Sequence, residues 1–119
     1  MSVRGIGSDI VEVSRINRLR EDYGSRFLKR VFTRGEIAYC NSKAHPEIHF
    51  AGRFAAKEAI AKAVYQSGYN KVIPFSDIEI LNDTEGRPMV SLLTQIQGTC
   101  LVTISHEHQM AIAFAILEN

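Results

Sequence analysis

Apolar side chains recur at helical spacing through the first half of the chain and at alternate positions through much of the second half. A run rich in glycine and β-branched residues, 3–13, predicts a strand that leads into a turn. Apolar residues then return every three or four positions, which predicts short helices in the N-terminal third. We expect Ser14 to cap the first of them, Gly24 to end it, and a capping box of Thr33 and Glu36 to begin the third.

The longest predicted helix runs from about Pro46 to Ser67. Proline suits the first turn of a helix because its missing N–H would have no partner there, and Gly68 suits the C-terminal cap. The segment is rich in alanine and has an apolar stripe that is partly aromatic. The stripe includes Phe50, Phe54, Ala61 and Tyr65.

Beyond the long helix the apolar period changes to two, which is typical of strands with one buried face. Two pairs of such runs flank turn-like segments and predict two β-hairpins. The runs are Asp77–Leu81 with Pro88–Leu93, and Leu101–Ser105 with Met110–Leu117. A helix-rich first half and a strand-rich second half predict an α+β fold with a largely antiparallel sheet, built as a single domain over residues 1–119.

Composition indicates the cellular compartment of the protein and an uneven distribution of charge along the chain. The 119 residues include no apolar run long enough to span a membrane, no secretory signal pattern, and two cysteines without metal-site spacing, so we expect a cytoplasmic protein. The net charge of +1 hides a division: residues 1–34 carry eight basic and four acidic side chains, and the remainder carries six basic and nine acidic ones. This basic front predicts a local docking surface for an acidic partner, not a general nucleic-acid coat.

A first candidate for chemistry is the segment Gly5-Ile6-Gly7-Ser8-Asp9. It is not a dinucleotide-binding fingerprint, because position 10 lacks the third glycine. It offers the Asp9 carboxylate where the first strand is predicted to end, on a backbone kept slim by two glycines. The alternative is a turn that merely requires glycine, with Asp9 capping the next element.

The second candidate is the middle of the long helix, where Glu58 and Lys62 lie on one stripe, four residues apart. They are compatible with an exposed ion pair worth ~0.3–0.5 kcal/mol, but their apolar neighbours suggest the edge of a buried face. Together, Asp9 and Glu58 would suit Mg²⁺, which takes one or two carboxylates plus substrate phosphates. Bases of the same helix would bind the remaining phosphate charge, as phosphoryl transfer requires: Arg53, Lys57 and Lys62.

The predicted turn of the second hairpin contains His106 and His108. A zinc site is not favoured, because no cysteine or carboxylate cluster with ligand spacing accompanies the two histidines. We expect His106, at a strand end, to contact an anion. The alternative is a surface histidine in a turn.

Seven short motifs follow one another along the chain. They are GIGSDIVEV at residues 5–13, RF at 26–27, FT at 32–33, RFAAKEA at 53–59, KA at 62–63, GRP at 86–88 and ISH at 104–106. Together and in this order they closely resemble the holo-[acyl-carrier-protein] synthase family, the small bacterial type of 4′-phosphopantetheinyl transferase. The resemblance covers essentially the whole chain.

The resemblance implies a 4′-phosphopantetheinyl transferase fold, with a long helix packed on an antiparallel sheet. It implies an Mg²⁺-dependent enzyme of fatty acid biosynthesis that transfers the 4′-phosphopantetheine arm of coenzyme A to a serine of apo acyl carrier protein and releases adenosine 3′,5′-bisphosphate. Asp9 and Glu58 match the metal-binding acids, and Arg53, Lys62 and His106 match positions at the phosphates of coenzyme A. The expected catalytic set is Asp9, Glu58 and Lys62, with Glu58 the better candidate to take the serine proton.

The resemblance also implies partners. Arg15, Arg26 and Arg30 match the basic positions that dock the acidic acyl carrier protein, and Phe27 lies beside them as an apolar contact. Small members of the family are homotrimers with active sites at subunit interfaces, so we expect the same here. Neither a nucleic acid nor a membrane is expected as a partner.

Two other functions are compatible with parts of the pattern. An Mg²⁺-dependent nucleotide or pyrophosphate hydrolase would use the same acids and would release phosphate without a carrier protein. A small nucleic-acid-binding α+β module would use the basic helices and bind oligonucleotides without coenzyme A, although the chain lacks the aromatic strand pattern of RNA-binding sheets.

Overall fold

The computed structural model describes residues 2–119, and it has the α+β architecture that the sequence predicts. Met1, the first residue of the predicted domain, lies outside the described residues. The long helix and the short helices that precede it are confirmed. In chain order the elements are β1 (Val3–Glu12), α1 (Val13–Tyr23), α2 (Ser25–Val31), α3 (Arg34–Asn41), α4 (Pro46–Gln66), a 3₁₀ turn (Phe75–Asp77), β2 (Ile78–Asn82), β3 (Pro88–Leu92), β4 (Thr99–His106) and β5 (Met110–Glu118).

The strands form two antiparallel sheets. Strands β1, β5 and β4 make a three-stranded sheet in that order, and β2 pairs with β3 in a separate hairpin. Both predicted hairpins are therefore confirmed, while the pairing of the first strand with the last is a long-range contact that local patterns do not reveal. In this register Asp9 lies opposite Ala113, and Ala113 lies opposite Ile104.

Helix α4 is the centre of the fold, because both sheets and the helices α1 and α3 pack around it. Buried residues therefore occur on several sides of α4, and many of them are alanines that let neighbouring elements approach closely. The prediction that Tyr65 belongs to the apolar stripe is wrong: its ring is exposed, and its hydroxyl accepts a hydrogen bond from the Ile73 amide at 3.1 Å. No helix within residues 2–119 is both long enough and apolar enough to cross a bilayer.

Helix ends follow the sequence signals at most positions. Gly24 ends α1 with φ at 55°, and Thr33 and Glu36 form the predicted capping box at the start of α3. The prediction for Ser14 is wrong, because α1 begins at Val13 without a side-chain cap. The reason is that β1 runs straight into the helix, and the Val13 amide finds its partner in the carbonyl of Gln109 at 2.9 Å.

Candidate active site

Strand β1 lies directly against helix α4, and two glycines make that contact possible. A Cβ atom at Gly7 would lie 2.0 Å from the carbonyl oxygen of Ala59, and one at Gly5 would lie 2.0 Å from that of Ala63. Only glycine fits at either position without moving the backbone. The slim backbone expected from the sequence is therefore confirmed, and its purpose is close packing of a strand on a helix and not a turn.

This contact brings Asp9 to the part of α4 that carries Glu58 and Lys62. The prediction that the first strand ends at Asp9 is wrong, because β1 stays paired with β5 for three further residues. Asp9 points to the same side of β1 as the two glycines, toward α4. The Lys62 Nζ atom lies 3.4 Å from Asp9 Oδ1 and donates a hydrogen bond to the Ser8 carbonyl at 2.8 Å. Glu58 is half-buried one helical turn before Lys62.

These two acids and one base form a donor set that suits a hard cation and a phosphate. The Lys62 side chain is 54% exposed and that of Asp9 is 20% exposed, so both are open to a ligand from solvent. Mg²⁺ is commonly held by one or two carboxylates, with phosphate oxygens and waters in the other positions. Asp9 and Glu58 fit that pattern. The described part of the chain contains no cluster of three or more histidine, cysteine, aspartate or glutamate side chains that could hold a metal ion by themselves.

A cavity of about 130 Å³ lies beside the N-terminal half of α4, and both Arg53 and His106 line it. Arg53 is only 4% exposed, and its guanidinium is fixed by neighbours. Its Nε donates to the Ile80 carbonyl at 3.2 Å, and its Nη2 donates to Oδ1 of Asn82 at 2.5 Å. The group also stacks over the Tyr39 ring, 4.1 Å from the centroid. A fixed guanidinium at a cavity wall suits recognition of phosphate.

Sequence reasoning missed three residues whose polar side chains line this cavity: Tyr39, His49 and Asn82. The ring centroids of His49 and His106 are 5.3 Å apart. Burial lowers the pKa of His49, and the neighbouring His106 and Arg53 lower it further. One signal for His49 was present in the sequence, since it precedes Arg53 by four residues and so shares its helical stripe.

The sequence pattern predicts that Lys57 binds phosphate together with Arg53 and Lys62, and that prediction is wrong. Its side chain is fully buried, with Nζ 2.6 Å from Oε1 of Glu36. Burial lowers the pKa of Lys57, while the Glu36 carboxylate opposes that shift. Successive residues of an α-helix point about 100° apart, so Lys57 faces the core while its half-buried neighbour Glu58 points in a different direction.

The predicted docking residues lie on the first two short helices. Arg26, Phe27 and Arg30 line one groove of about 350 Å³. Arg15 lies on α1 with its guanidinium 5.8 Å from the ring centroid of Phe54, which belongs to α4. Three of the four predicted docking residues therefore lie around one groove, and the fourth, Arg15, lies against the helix that carries Glu58 and Lys62.

Comparison with known proteins identifies relatives along nearly the whole chain. The family model of the 4′-phosphopantetheinyl transferase superfamily matches residues 5–115. The holo-[acyl-carrier-protein] synthase of Protochlamydia amoebophila is 50% identical over 117 residues, covering 94% of this chain and 95% of that protein. The one from Chlorobaculum tepidum is 42% identical over 114 residues, covering 95% and 97%. The crystal structure of the Bacillus anthracis synthase, in complex with CoA (3′,5′-ADP), has a TM-score of 0.82 at 33% identity and covers 98% and 97%.

The fold, the acid pair beside a lysine, and the cavity with its buried arginine are those of a small α+β transferase that handles phosphate groups. With the matches above, the chain belongs to the 4′-phosphopantetheinyl transferase superfamily and, within it, to the holo-[acyl-carrier-protein] synthase family. The family resemblance seen in the sequence motifs is thereby confirmed.

Proposed function

We propose that this protein transfers the 4′-phosphopantetheine arm of coenzyme A to a serine of an apo acyl carrier protein. The serine oxygen forms a bond to the phosphorus that bears the pantetheine, and the bond from this phosphorus to the bridging oxygen of the pyrophosphate breaks. The serine proton passes to a base, and adenosine 3′,5′-bisphosphate leaves. The observation that carries the proposal is the contact of β1 with α4, which gathers Asp9 and Lys62 beside Glu58.

Asp9 and Glu58 are the residues that would hold a magnesium ion. Asp9 lies on β1 with its Oδ1 atom 3.4 Å from the Lys62 ammonium, and Glu58 lies on α4 one helical turn before Lys62. When bound, the ion would supply neutralisation of the negative charge on the pyrophosphate. Removal of divalent metal with a chelator is therefore expected to stop transfer, and added Mg²⁺ to restore it.

The remaining chemistry falls to the protein side chains. Glu58, directly or through a water molecule, takes the proton of the attacking serine. Lys62 stabilises charge on the transferred phosphoryl group and on the leaving bisphosphate. Arg53 and His106 hold phosphate groups of coenzyme A in the cavity that they line, where the contacts of Arg53 with Ile80 and Asn82 keep its charge in place.

The basic groove on the first two helices is the proposed docking surface for the acidic carrier protein. Arg26 and Arg30 are exposed and frame the half-buried ring of Phe27, so charge and apolar contact occur together. Arg15 extends this surface toward α4. Because exposed charges attract a partner through solvent, docking should weaken as salt rises.

The outer face of the three-stranded sheet supports the proposal of a homotrimer. It exposes large apolar side chains that a single chain leaves uncovered: Ile6, Ile10, Leu101, Ile112 and Phe114. Two of them, Ile6 and Phe114, also line a cavity of about 230 Å³ that contains Lys62. A second copy packed on this face would therefore form one side of the acid site, as expected for active sites at subunit interfaces. Sedimentation should give three times the mass of one chain, and Phe114→Asp should lower it.

We further propose that residues 1–119 act as one domain in the cytoplasm, in fatty acid biosynthesis. Both cysteines, Cys40 and Cys100, are unpaired, as suits a compartment in which thiols stay reduced. Growth on added fatty acids after loss of the gene would test the place of the enzyme in metabolism.

Mass spectrometry of an apo carrier protein incubated with coenzyme A, Mg²⁺ and this protein tests the proposed reaction. The expected result is a carrier heavier by one phosphopantetheine arm, with adenosine 3′,5′-bisphosphate released in equal amount. Glu58→Gln should stay folded and lose most turnover; a near-normal rate across the pH range would exclude Glu58 as the base. Release of phosphate without any change in the carrier would contradict the proposal and favour a hydrolase.

A further inference from the structure

The ammonium group of Lys57 is held by four oxygen atoms from three separate segments. It lies 2.6 Å from Oε1 of Glu36 on α3. It also donates to the carbonyl of Val31, the last residue of α2, at 2.8 Å. Its other two acceptors are the carbonyls of Phe75, at 2.8 Å, and of Ile78, at 2.6 Å, where the chain enters β2. One side chain of α4 is thereby tied to α2, α3 and β2.

Glu36 extends the same connection on its other side. Its Oε1 accepts a hydrogen bond from the Thr33 amide at 2.9 Å, and its Oε2 accepts one from the Ile80 amide at 2.8 Å. The Glu36 carboxylate therefore caps the N-terminus of α3, accepts a hydrogen bond from the middle of β2 and pairs with Lys57. Neither Lys57 nor Glu36 is exposed to solvent.

A buried ion pair of this kind is a weak source of stability. Desolvation of two charges offsets most of their attraction, and apolar side chains of the same volume are often as stabilising or more so. The pair instead fixes the relative positions of the segments around it. An ammonium with several fixed acceptors can make all of its hydrogen bonds in only one arrangement of those segments. A Lys57–Glu36 pair is therefore better suited to setting positions than to stabilising the core.

The positions that it sets belong to the proposed reaction, on which this inference rests. Helix α2 carries the docking residues Arg26, Phe27 and Arg30 and ends at the carbonyl that Lys57 holds. On α4, Lys57 immediately precedes Glu58. We infer that Lys57 is a positioning residue that fixes the carrier-docking helix relative to Glu58, so that the serine of a docked carrier protein arrives at the acid site.

The double variant Lys57→Met/Glu36→Gln removes both charges without leaving one buried alone. Once circular dichroism has shown it to be folded, we expect its KM for apo carrier protein to rise and its kcat to fall, each by roughly tenfold, because a serine displaced by a fraction of an ångström reacts slowly. Coenzyme A affinity, measured by calorimetry without carrier, should stay within about twofold, because Lys62 keeps its contacts with Ser8 and Asp9 on β1, which neither Lys57 nor Glu36 holds.

Leu117→Ala is the matched control, because Leu117 is fully buried on β5 and is not part of α2, α3 or β2. It should lose stability yet keep the KM for carrier protein, which separates positioning from general destabilisation. A folded double variant with wild-type constants, or with coenzyme A affinity reduced as much as carrier affinity, would overturn the inference and leave the proposed function intact. Failure of the wild-type protein to modify the carrier would instead overturn the proposed function, and this inference with it.

A measurement on the wild-type protein serves if the double variant does not fold. Binding of apo carrier protein should slow backbone hydrogen exchange at residues 75–78, which do not line the docking groove but share Lys57 with α2. Slowing confined to the groove itself would show that docking is not transmitted through Lys57.

Discussion

Replacing Gly7 with alanine would separate β1 from α4 at the acid site. The added Cβ would lie 2.0 Å from the carbonyl oxygen of Ala59, and Cβ contacts under 3.0 Å essentially never occur. Because the obstacle is backbone and not a side chain that can rotate, strand and helix must move apart by about 1 Å. Overpacking of this kind costs about 1–3 kcal/mol, which corresponds to a melting temperature lower by roughly 4–12 °C.

The same movement would carry Asp9 away from Glu58 and Lys62, since Asp9 follows Gly7 by two residues on one face of the strand. A misplacement of about 1 Å can lower a catalysed rate by roughly 100-fold. We expect kcat for carrier modification, followed by mass spectrometry, to fall by about this factor. The measurement belongs at a temperature at which circular dichroism shows that the variant is folded.

Gly35→Ala provides the control with the same chemical change. Its Cβ would meet the far ends of two side chains, Oε2 of Glu79 at 3.0 Å and the methyl groups of Leu81 at 3.5 Å, and no backbone. Alanine is also favoured over glycine inside helix α3. This variant should keep the wild-type rate and melt no earlier than the wild type. A folded Gly7→Ala variant with normal turnover would refute the reasoning that the β1–α4 contact sets the active-site geometry.

Three further experiments test other parts of the structure. Arg15→Glu/Arg26→Glu should raise the KM for carrier protein at least about tenfold and leave calorimetric coenzyme A affinity unchanged; an equal loss of both would contradict the proposed separation of the two surfaces. The pKa of His49 lies below its ordinary value of 6.5, so the unfolded chain binds more protons and stability falls as the pH falls through that value. His49→Gln should therefore lose less melting temperature than the wild type between about pH 7.5 and about pH 5.5, and an equal loss would exclude this role. Burial raises the pKa of Cys40 to about 12 and that of Cys100 to about 11, so iodoacetamide at about pH 8 should label neither thiol before unfolding; rapid labelling of the native protein would contradict their burial.

Local signals were sufficient for most elements of the fold. The change of apolar period from helical spacing to alternation depends only on neighbouring residues, and the Thr33–Glu36 capping box is closed within four residues. The predictions failed where a distant segment supplies the partner. Ser14 is not needed as a cap, because the Val13 amide bonds to Gln109, which lies far along the chain.

The acid site was predicted as a set of residues but not as a geometry. Nothing in the local pattern distinguishes Lys57, which is buried against Glu36, from Lys62, which is open to solvent. The difference follows from which elements surround α4, and that depends on tertiary packing. Likewise, the placement of Asp9 depends on the close contact of Gly5 and Gly7 with α4. The motif alone did not show whether these glycines belong to a turn or to a strand.

The pairing of β1 with β5 has a consequence for how the protein is made. Within residues 2–119, β1 has one strand neighbour, β5 (Met110–Glu118), which lies far along the chain. The strand that carries Asp9 therefore leaves the ribosome well before its hydrogen-bonded partner is synthesised. A truncation that removes β5 would therefore also remove the strand that supports Asp9, a proposed metal ligand far earlier in the sequence.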